Sequence, residues 1–202
     1  MARRAVAWLQ DPDAKPEESS GFCHQSGGYT AGVAFFEPIF AALNQAGVRY
    51  VVVAGLATVL HGFARLTADI DLVVDLSPNE ARKAIETLSA LGFVPRAPVD
   101  PLGFADPALR AMWIEEKGMA VFTMVDRANP MRSIDLFVKP PIPFDHLWGR
   151  ADMVRLVKTS VRIAAITDLI EMKRAVGRPQ DVIDVEALEQ IRRRKGSDAR
   201  GS

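Results

Sequence analysis

The order of apolar and polar residues predicts short helices alternating with buried strands along most of the chain. After Pro38, apolar residues recur at helical spacing and stop at Gly47, as in an α-helix that ends on glycine. The uninterrupted run at 50–54, rich in β-branched residues, indicates a strand that is buried on both faces. A short helical stretch at 56–61 and a strand at 69–74 follow.

The second half of the chain continues the mixture of helices and strands. Ser77-Pro78-Asn79-Glu80 has the form of a capping box and predicts a helix that stops at Gly92. We further predict a helix at 106–117, a hairpin of strands at 119–125 and 133–138, strand-like pieces at 154–157 and 161–163, and helices at 168–176 and 179–194. This order predicts an α/β (α+β) fold, in which helices flank a mixed sheet and a small helical part ends the chain.

Composition shifts suggest three parts. Residues 10–32 are rich in Pro, Glu, Ser and Gly, so we interpret 1–32 as a flexible N-terminal arm. Three prolines between 140 and 143 mark a second boundary. We therefore expect a core at 33–139 and a C-terminal strand and helix extension at 140–202 that packs on it.

The composition excludes several classes of protein. Of the 202 residues, 49% are hydrophobic and 25% are charged, which argues against a disordered chain, and the net charge of zero argues against a basic coat that binds nucleic acid. The lone Cys23 excludes an internal disulfide and a cysteine-based zinc cluster. The apolar stretches are too short for a membrane span or a signal peptide, so we expect a cytoplasmic protein without a membrane segment.

Two aspartates in the predicted strand at 69–74 are the first candidates for chemistry. Residues two apart share a face of a strand, so Asp69 and Asp71 point the same way, while Ile70 and Leu72 point into the core. Two carboxylates this close stay ionised together only when a cation lies between them. Oxygen ligands of this kind suit Mg²⁺ or Mn²⁺.

Two further features make the pattern more specific than Asp-x-Asp alone. Ala54-Gly55 forms a turn from strand to helix, where a phosphate can approach the backbone, and Asp135 lies in another predicted strand between apolar neighbours. Asp-x-Asp also occurs in loops of glycosyltransferases and in aspartyl-nucleophile phosphatases. The glycine turn before the pair argues against the former, and the downstream partners of the latter are not evident.

Together these residues resemble the minimal nucleotidyltransferases of the polymerase-β-like superfamily. In that superfamily a strand ends in Gly-Gly or Gly-Ser, Asp-x-Asp follows on the next strand, and a third Asp comes from a later strand. The closer resemblance is to the AbiEii-type toxin nucleotidyltransferases, which carry stretches similar to residues 55–71 and 168–184 of this chain. The resemblance covers about residues 35–190 and departs from the pattern at Ala54, which stands in place of the first glycine.

The resemblance implies a nucleotidyltransferase-type fold and metal-assisted transfer of a nucleoside monophosphate from a nucleoside triphosphate to a hydroxyl. Asp69, Asp71 and Asp135 would be the catalytic residues and the ligands of Mg²⁺ or Mn²⁺. The nucleotide would be bound by the residues of the turn, the loop after it and the penultimate helix, namely Ala54, Gly55, Arg65, Thr67 and Lys173. The implied acceptor is a tRNA, a protein or a small molecule, and an antitoxin protein is an implied partner.

Each supporting residue also has a structural interpretation that involves neither catalysis nor ligand binding. Arg65 and Thr67 fit an ordinary solvated loop, and Lys173 fits the exposed face of a helix. His61 fits a favourable charge at a helix C-terminus, as does the basic run 192–195. Asp181 is placed to pair with Arg178, and with Asp184 these residues suggest a structural network that anchors the last helices.

Three functions remain open at this stage. The first is a nucleotidyltransferase, for which the resemblance implies the role of toxin in a toxin–antitoxin or abortive-infection system. The second is an inactive module on the same fold that binds a nucleotide or a partner protein, which the substitution at Ala54 favours. The third is an antibiotic-modifying nucleotidyltransferase, since fold and motif do not select the acceptor.

Overall fold

The computed structural model describes residues 35–67, 69–129 and 131–198. The predicted arm at 1–32 lies outside these ranges. Within them, seven strands are present: β1 (Tyr50–Val53), β2 (Asp69–Val74), β3 (Phe93–Pro95), β4 (Val121–Asp126), β5 (Ser133–Phe137), β6 (Asp152–Arg155) and β7 (Ser160–Ile163). The same ranges contain a 3₁₀ helix (Pro101–Ala105) and the helices α1 (Glu37–Gln45), α2 (Ala54–Leu60), α3 (Pro78–Ala90), α4 (Pro107–Lys117), α5 (Phe144–Arg150), α6 (Ile166–Val176) and α7 (Pro179–Asp198).

All seven strands form one mixed sheet in the order β3-β4-β5-β2-β1-β7-β6. β2 runs parallel to β5 and β1 runs parallel to β7, whereas the other neighbouring pairs are antiparallel. The hairpin of β4 and β5 is the one that the sequence predicts. The mixed sheet with helices around it confirms the predicted α/β fold class.

The core lies around the two central strands. All four residues of β1 are buried, as the continuous apolar run predicts for a strand covered on both faces. One continuous apolar cluster joins them to α1 and α3, through Ile39, Phe40, Leu43, Ala84, Ile85 and Leu88. This packing fixes β1 and β2, and with them the turn and the Asp-x-Asp pair that the sequence singles out.

Two local predictions need correction. Helix α3 begins at Pro78 as predicted, but the Ser77 side chain makes no capping hydrogen bond. Glu80 instead accepts hydrogen bonds from the Arg49 amide and the Lys83 ammonium, so the predicted capping box is wrong, because these donors engage the glutamate. Helix α5 was not predicted, although Pro143 directly precedes it and proline suits the start of a helix.

The C-terminal segment contributes strands as well as helices. β7 pairs with β1 and β6 pairs with β7, so residues after 140 extend the same sheet. The last helix continues to Asp198, beyond the predicted end at residue 194. The division between a core at 33–139 and an extension at 140–202 stays a prediction. In the described part of the chain we find no helix that is both long and apolar enough to span a membrane.

Candidate active site

The register of two parallel strands brings the predicted carboxylates together. β2 and β5 pair so that Asp71 lies beside Asp135 and Asp69 lies beside Ser133. Cross-strand neighbours share a face of the sheet, and so do residues two apart in one strand. Asp69, Asp71 and Asp135 therefore occupy one face, while Ile70 is completely buried on the other.

The carboxylates interact strongly with one another. Burial, together with the negative charges of Asp135 and Asp69, raises the pKa of Asp71 to about 7. Oδ1 of Asp135 is buried and has no hydrogen-bond partner among the described residues. Asp69 differs, because its carboxylate accepts a hydrogen bond from the Ser133 hydroxyl.

This donor set fits a hard divalent cation. It consists of oxygen atoms only, it carries more negative charge than nearby side chains neutralise, and one of its oxygens lacks a partner. However, no three or more His, Cys, Asp or Glu side chains in residues 35–67, 69–129 and 131–198 are grouped so that they could hold a metal ion. The convergence of all three aspartates on one ion therefore stays a prediction.

The turn after β1 has an unusual backbone and a crowded surface. Ala54 has φ of 51° and is the one non-glycine residue with positive φ in the described ranges. For a residue with a side chain this conformation costs about 1 kcal/mol. It falls where the resembled superfamily has the first glycine of its pair, so the departure at Ala54 carries a strain that glycine avoids.

Gly55 lies directly beneath two of the predicted nucleotide-binding residues. A Cβ atom at Gly55 would overlap Nη2 of Arg65 and stand 2.9 Å from Oγ1 of Thr67. The structure thus brings Gly55, Arg65 and Thr67 together, as the prediction requires. It also gives a second reason for glycine at this position, because the Arg65 guanidinium fills the space that a side chain would need.

Lys173 is placed differently from the sequence prediction. Helical spacing in the sequence predicts a buried stripe of Leu169, Met172 and Val176 on α6, with Lys173 at its edge. The buried stripe instead contains Ile166, Leu169, Ile170 and Lys173 itself, whereas Val176 is exposed. The interpretation of Lys173 as part of an exposed helix face is therefore wrong, because carboxylates on α7 compensate its buried charge.

A buried ion-pair network surrounds Lys173. Its Nζ lies 2.5 Å from Oδ2 of Asp184 and 3.5 Å from Oδ1 of Asp181. Arg178 donates to Asp181 at 2.9 Å, and Arg65 Nε lies 3.4 Å from Oδ1 of Asp184. The predicted pairing of Asp181 with Arg178 is confirmed, and the network joins α6, α7 and the loop before β2.

A cleft of about 230 Å³ opens beside this network. Its polar residues include Asp71, Lys173, Arg178 and Asp181, and Lys173 and Arg178 act on Asp71 by lowering its pKa against the larger effects that raise it. Ala54 also lines the cleft, but Asp69, Asp135, Gly55, Arg65 and Thr67 do not. Its apolar lining includes Phe137, Pro141, Ile142, Leu169, Met172, Ala175 and Val176.

His61 has a structural position at the end of α2. Its Nε2 donates to the carbonyl oxygen of Ala164 at 2.8 Å, which ties the helix to the segment after β7. Burial lowers the pKa of His61, the hydrogen bond to Ala164 opposes this, Lys195 lowers it and Asp152 raises it. The basic run 192–195 is exposed on α7.

The sequence analysis missed three parts of this region. Ser133 is one, because it meets Asp69 through the register of β5 against β2, which no local pattern specifies. Asp184 was assigned only to a structural network. The apolar lining of the cleft has no sequence signal, because its residues come from β5, the proline-rich segment after it and α6.

Comparison with solved structures identifies the fold. The lincosamide antibiotic adenylyltransferase LnuA, solved with lincomycin bound, matches with a TM-score of 0.53 and 13% identity over 80% of this chain and 96% of its own. The antibiotic-resistance factor ANT(2'')-Ia matches with a TM-score of 0.51 and 13% identity, over 85% of this chain and 95% of its own. Its complex with adenylyl-2''-tobramycin matches with a TM-score of 0.52 and 13% identity, over 86% and 100%.

These similarities confirm the nucleotidyltransferase-type fold that the resemblance implies. No protein-family model matches the sequence, and no curated protein sequence matches it. At 13% identity the likeness concerns the arrangement of the elements. What the chain does must therefore be argued from its own site.

Proposed function

We propose that this chain is a metal-dependent nucleotidyltransferase that moves a nucleoside monophosphate from a nucleoside triphosphate to a hydroxyl acceptor. The observation that carries the proposal is the pairing of Asp71 with Asp135 on neighbouring parallel strands. Asp71 lines a cleft that Lys173 and Arg178 also line. The acidic group of such a cleft suits a metal cation, and its basic groups suit the polyphosphate that the cation accompanies.

Each residue has a defined part in this proposal. Asp69, Asp71 and Asp135 would hold Mg²⁺ or Mn²⁺, which when bound stabilises charge on the phosphoryl oxygens and makes the attacking hydroxyl more acidic. Lys173 and the exposed Arg178 supply positive charge for the triphosphate. The unpartnered oxygen of Asp135 is free to accept a proton or a cation.

The nucleotide would use the turn above the carboxylates. Ala54 lines the cleft, and Arg65 and Thr67 lie against the next residue, Gly55. A guanidinium binds phosphate oxygens in pairs, so Arg65 suits an anion at this position. In the balanced reaction, the acceptor hydroxyl gives its proton to a carboxylate such as that of Asp135 while its oxygen forms a bond to the α-phosphorus. The bond from this phosphorus to the β-phosphate oxygen breaks, and pyrophosphate leaves with the electron pair of that bond.

Two classes of acceptor are supported for this reaction, a macromolecular hydroxyl and a small molecule. The sequence resemblance to AbiEii-type toxins favours a tRNA or a protein hydroxyl, with an antitoxin as a partner. The solved structures of similar fold are named for antibiotics, which favours a small-molecule acceptor. The strain at Ala54 is the feature that an inactive nucleotide-binding module would explain.

The decisive experiment measures nucleotide binding and transfer together. Each labelled nucleoside triphosphate is incubated with the protein and Mg²⁺, in the presence of total RNA, a protein extract, lincomycin or tobramycin. We expect one acceptor class to become labelled and pyrophosphate to appear. Asp71→Asn and Asp135→Asn should abolish labelling, whereas Asp145→Asn, which removes an exposed carboxylate on α5, should not.

The possible results separate the alternatives. Metal-dependent binding without any transfer would contradict the enzyme and support the binding module. No binding of any triphosphate, with or without Mg²⁺ or Mn²⁺, would contradict the nucleotide site itself. Labelling that survives Asp71→Asn would show that the reaction uses other residues.

A further inference from the structure

Asp184 is a buried carboxylate that the proposed reaction does not use. It lies in the second turn of α7 with 0% of its surface exposed. Its Oδ2 accepts from Lys173 at 2.5 Å, and its Oδ1 accepts from the Gln180 amide at 3.0 Å. The same Oδ1 lies 3.4 Å from Nε of Arg65, which makes an ion pair without hydrogen-bond geometry, since this buried Nε has no hydrogen-bond partner among the described residues. Three groups from three segments of the chain therefore converge on one carboxylate.

Two of these groups are the cations that flank the proposed nucleotide site. Lys173 lines the cleft and acts electrostatically on Asp71. Arg65 reaches Asp184 through Nε, while its Nη2 lies against Gly55. The Asp184 carboxylate on the last helix thus contacts both Lys173, which lines the cleft, and Arg65, which lies against the Gly55 turn.

Helix packing alone does not account for this arrangement. Buried ion pairs seldom stabilise a protein more than apolar residues of similar volume, because removing charges from water is costly. Apolar side chains would hold α6 and α7 together equally well. What a carboxylate adds is geometry, since it aims a guanidinium and an ammonium that would otherwise turn toward solvent.

We propose that Asp184 is a positioning residue that holds Arg65 over the Gly55 turn and Lys173 beside Asp71, so that α7 sets the cationic side of the nucleotide site. The proposal rests on the proposed function. Lys173 keeps a second partner in Asp181, whereas Arg65 has no other carboxylate partner in the described part of the chain. Loss of the Asp184 carboxylate should therefore affect Arg65 more than Lys173.

A double-mutant cycle on nucleotide affinity tests the proposal. Each of the four nucleoside triphosphates is titrated with Mg²⁺ into wild type, Arg65→Ala, Asp184→Asn and the double variant, well below every melting temperature. We expect each single change to weaken binding about tenfold, as for one charged hydrogen bond. Because both changes remove the same contact to nucleotide, the double variant should be weaker than Arg65→Ala by no more than about threefold.

The matched control is Asp168→Asn. Asp168 is also buried and ion-paired, to Arg150, but it lies outside the cleft. We expect its affinity to stay within about twofold of wild type, which is the range that additive, distant sites show. An equal loss of affinity in this control would overturn the proposal in favour of a general effect of removing a buried acid.

Three other results would also test the positioning role of Asp184. Wild-type affinity in Asp184→Asn, or losses that multiply in the double variant, would overturn the positioning role and leave the proposed function intact. If Asp184→Asn does not fold by circular dichroism, the cycle uses Asp184→Glu, which keeps the charge and shifts its position, with the same expected coupling. Failure of wild type to bind any triphosphate would contradict the proposed function, and the positioning role with it.

Discussion

At the scale of single residues, the site is defined by charges that are not balanced in the protein alone. Asp71 has a pKa of about 7, and Asp135 has a buried oxygen without a partner in the described ranges. Ala54 adds a backbone conformation that favours glycine. These features cost stability, and such costs are typical of residues kept for binding or chemistry.

Asp71→Asn should make the metal-free protein more stable. The substitution removes one of three neighbouring carboxylates and with it their repulsion. At pH 8 with EDTA we expect the free energy of unfolding to rise by about 2 kcal/mol, because one unit of pKa shift corresponds to about 1.4 kcal/mol and the amide regains less than the whole difference. Urea denaturation measures this, and Asp168→Asn, which breaks an ion pair, should have the opposite sign.

Gly55→Ala should weaken nucleotide binding through Arg65. The added methyl group overlaps Nη2 of Arg65, which is the flexible end of its side chain and moves at little cost in stability. We expect a loss of about 1.5–3 kcal/mol in nucleotide affinity, the value of a hydrogen bond to a charged group.

The control for this change is Gly149→Ala, where a Cβ would meet nothing within 4 Å. In an Arg65→Ala background, Gly55→Ala should cause no further loss of affinity. A further loss there would mean that the phosphate itself needs the open space above Gly55, as the sequence interpretation holds.

At the scale of elements, α2, α6 and α7 are held to neighbouring segments by polar contacts as well as by apolar packing. His61 at the end of α2 donates to Ala164, and Lys173 of α6 binds carboxylates of α7. Polar contacts of this kind fix an orientation, whereas apolar contacts leave it freer. The free energy of unfolding should therefore change when a charged residue of these contacts is replaced and when the pH is altered.

Lys173→Met should destabilise the joint between α6 and α7. Methionine keeps the apolar stem but leaves Asp184 without its closest cation and Asp181 with only Arg178. We expect a loss of about 3–5 kcal/mol in the free energy of unfolding, the range for breaking one side of a buried pair. Lys139→Met, at an exposed position, is the control in the same denaturation experiment; equal midpoints for the two variants would contradict the buried network.

His61 should make the protein less stable in mild acid. Burial lowers its pKa in the folded state, so as pH falls below about 6.5 the unfolded chain binds a proton that the folded chain excludes. Its contribution is complete well above that pH and is lost progressively as the pH falls through it. His61→Gln, which can still donate to Ala164, should flatten the dependence of the melting temperature on pH, whereas His146→Gln on the exposed face of α5 should leave it unchanged.

At the scale of the whole molecule, the C-terminal segment belongs to the sheet. β7 lies parallel to β1, whose residues are all buried, so its removal would uncover a central strand. An uncovered strand with free backbone groups tends to aggregate. The cleft also needs this segment, because α6 supplies Lys173 and the turn after α6 supplies Arg178.

A fragment of residues 35–139 should therefore fail to fold alone. We expect it to lack cooperative thermal unfolding by circular dichroism and to aggregate, whereas residues 35–198 should unfold in one transition. A soluble, cooperative fragment 35–139 would support the predicted division at residue 139 as a boundary between independent units.

The sequence by itself determined the elements whose signal is local. Period and turn residues predicted β2 to the residue, placed Asp69 and Asp71 on one face, and located the glycine turn before them. The resemblance added the nucleotidyltransferase-type fold, which the solved structures confirm. Strand alternation and helix spacing follow from backbone geometry, so they can be read without knowing what packs against the element.

Only the tertiary structure decided which residues meet. The register of β2 against β5 sets Asp135 beside Asp71, and no local pattern specifies the register of strands about sixty residues apart. Lys173 can be buried because Asp184, on another helix, pairs with its charge. Glycine is needed at position 55 because the Arg65 side chain lies against it. Charge pairing and close contact depend on distances between segments that are remote in sequence, so the arrangement of this site is a property of the folded chain.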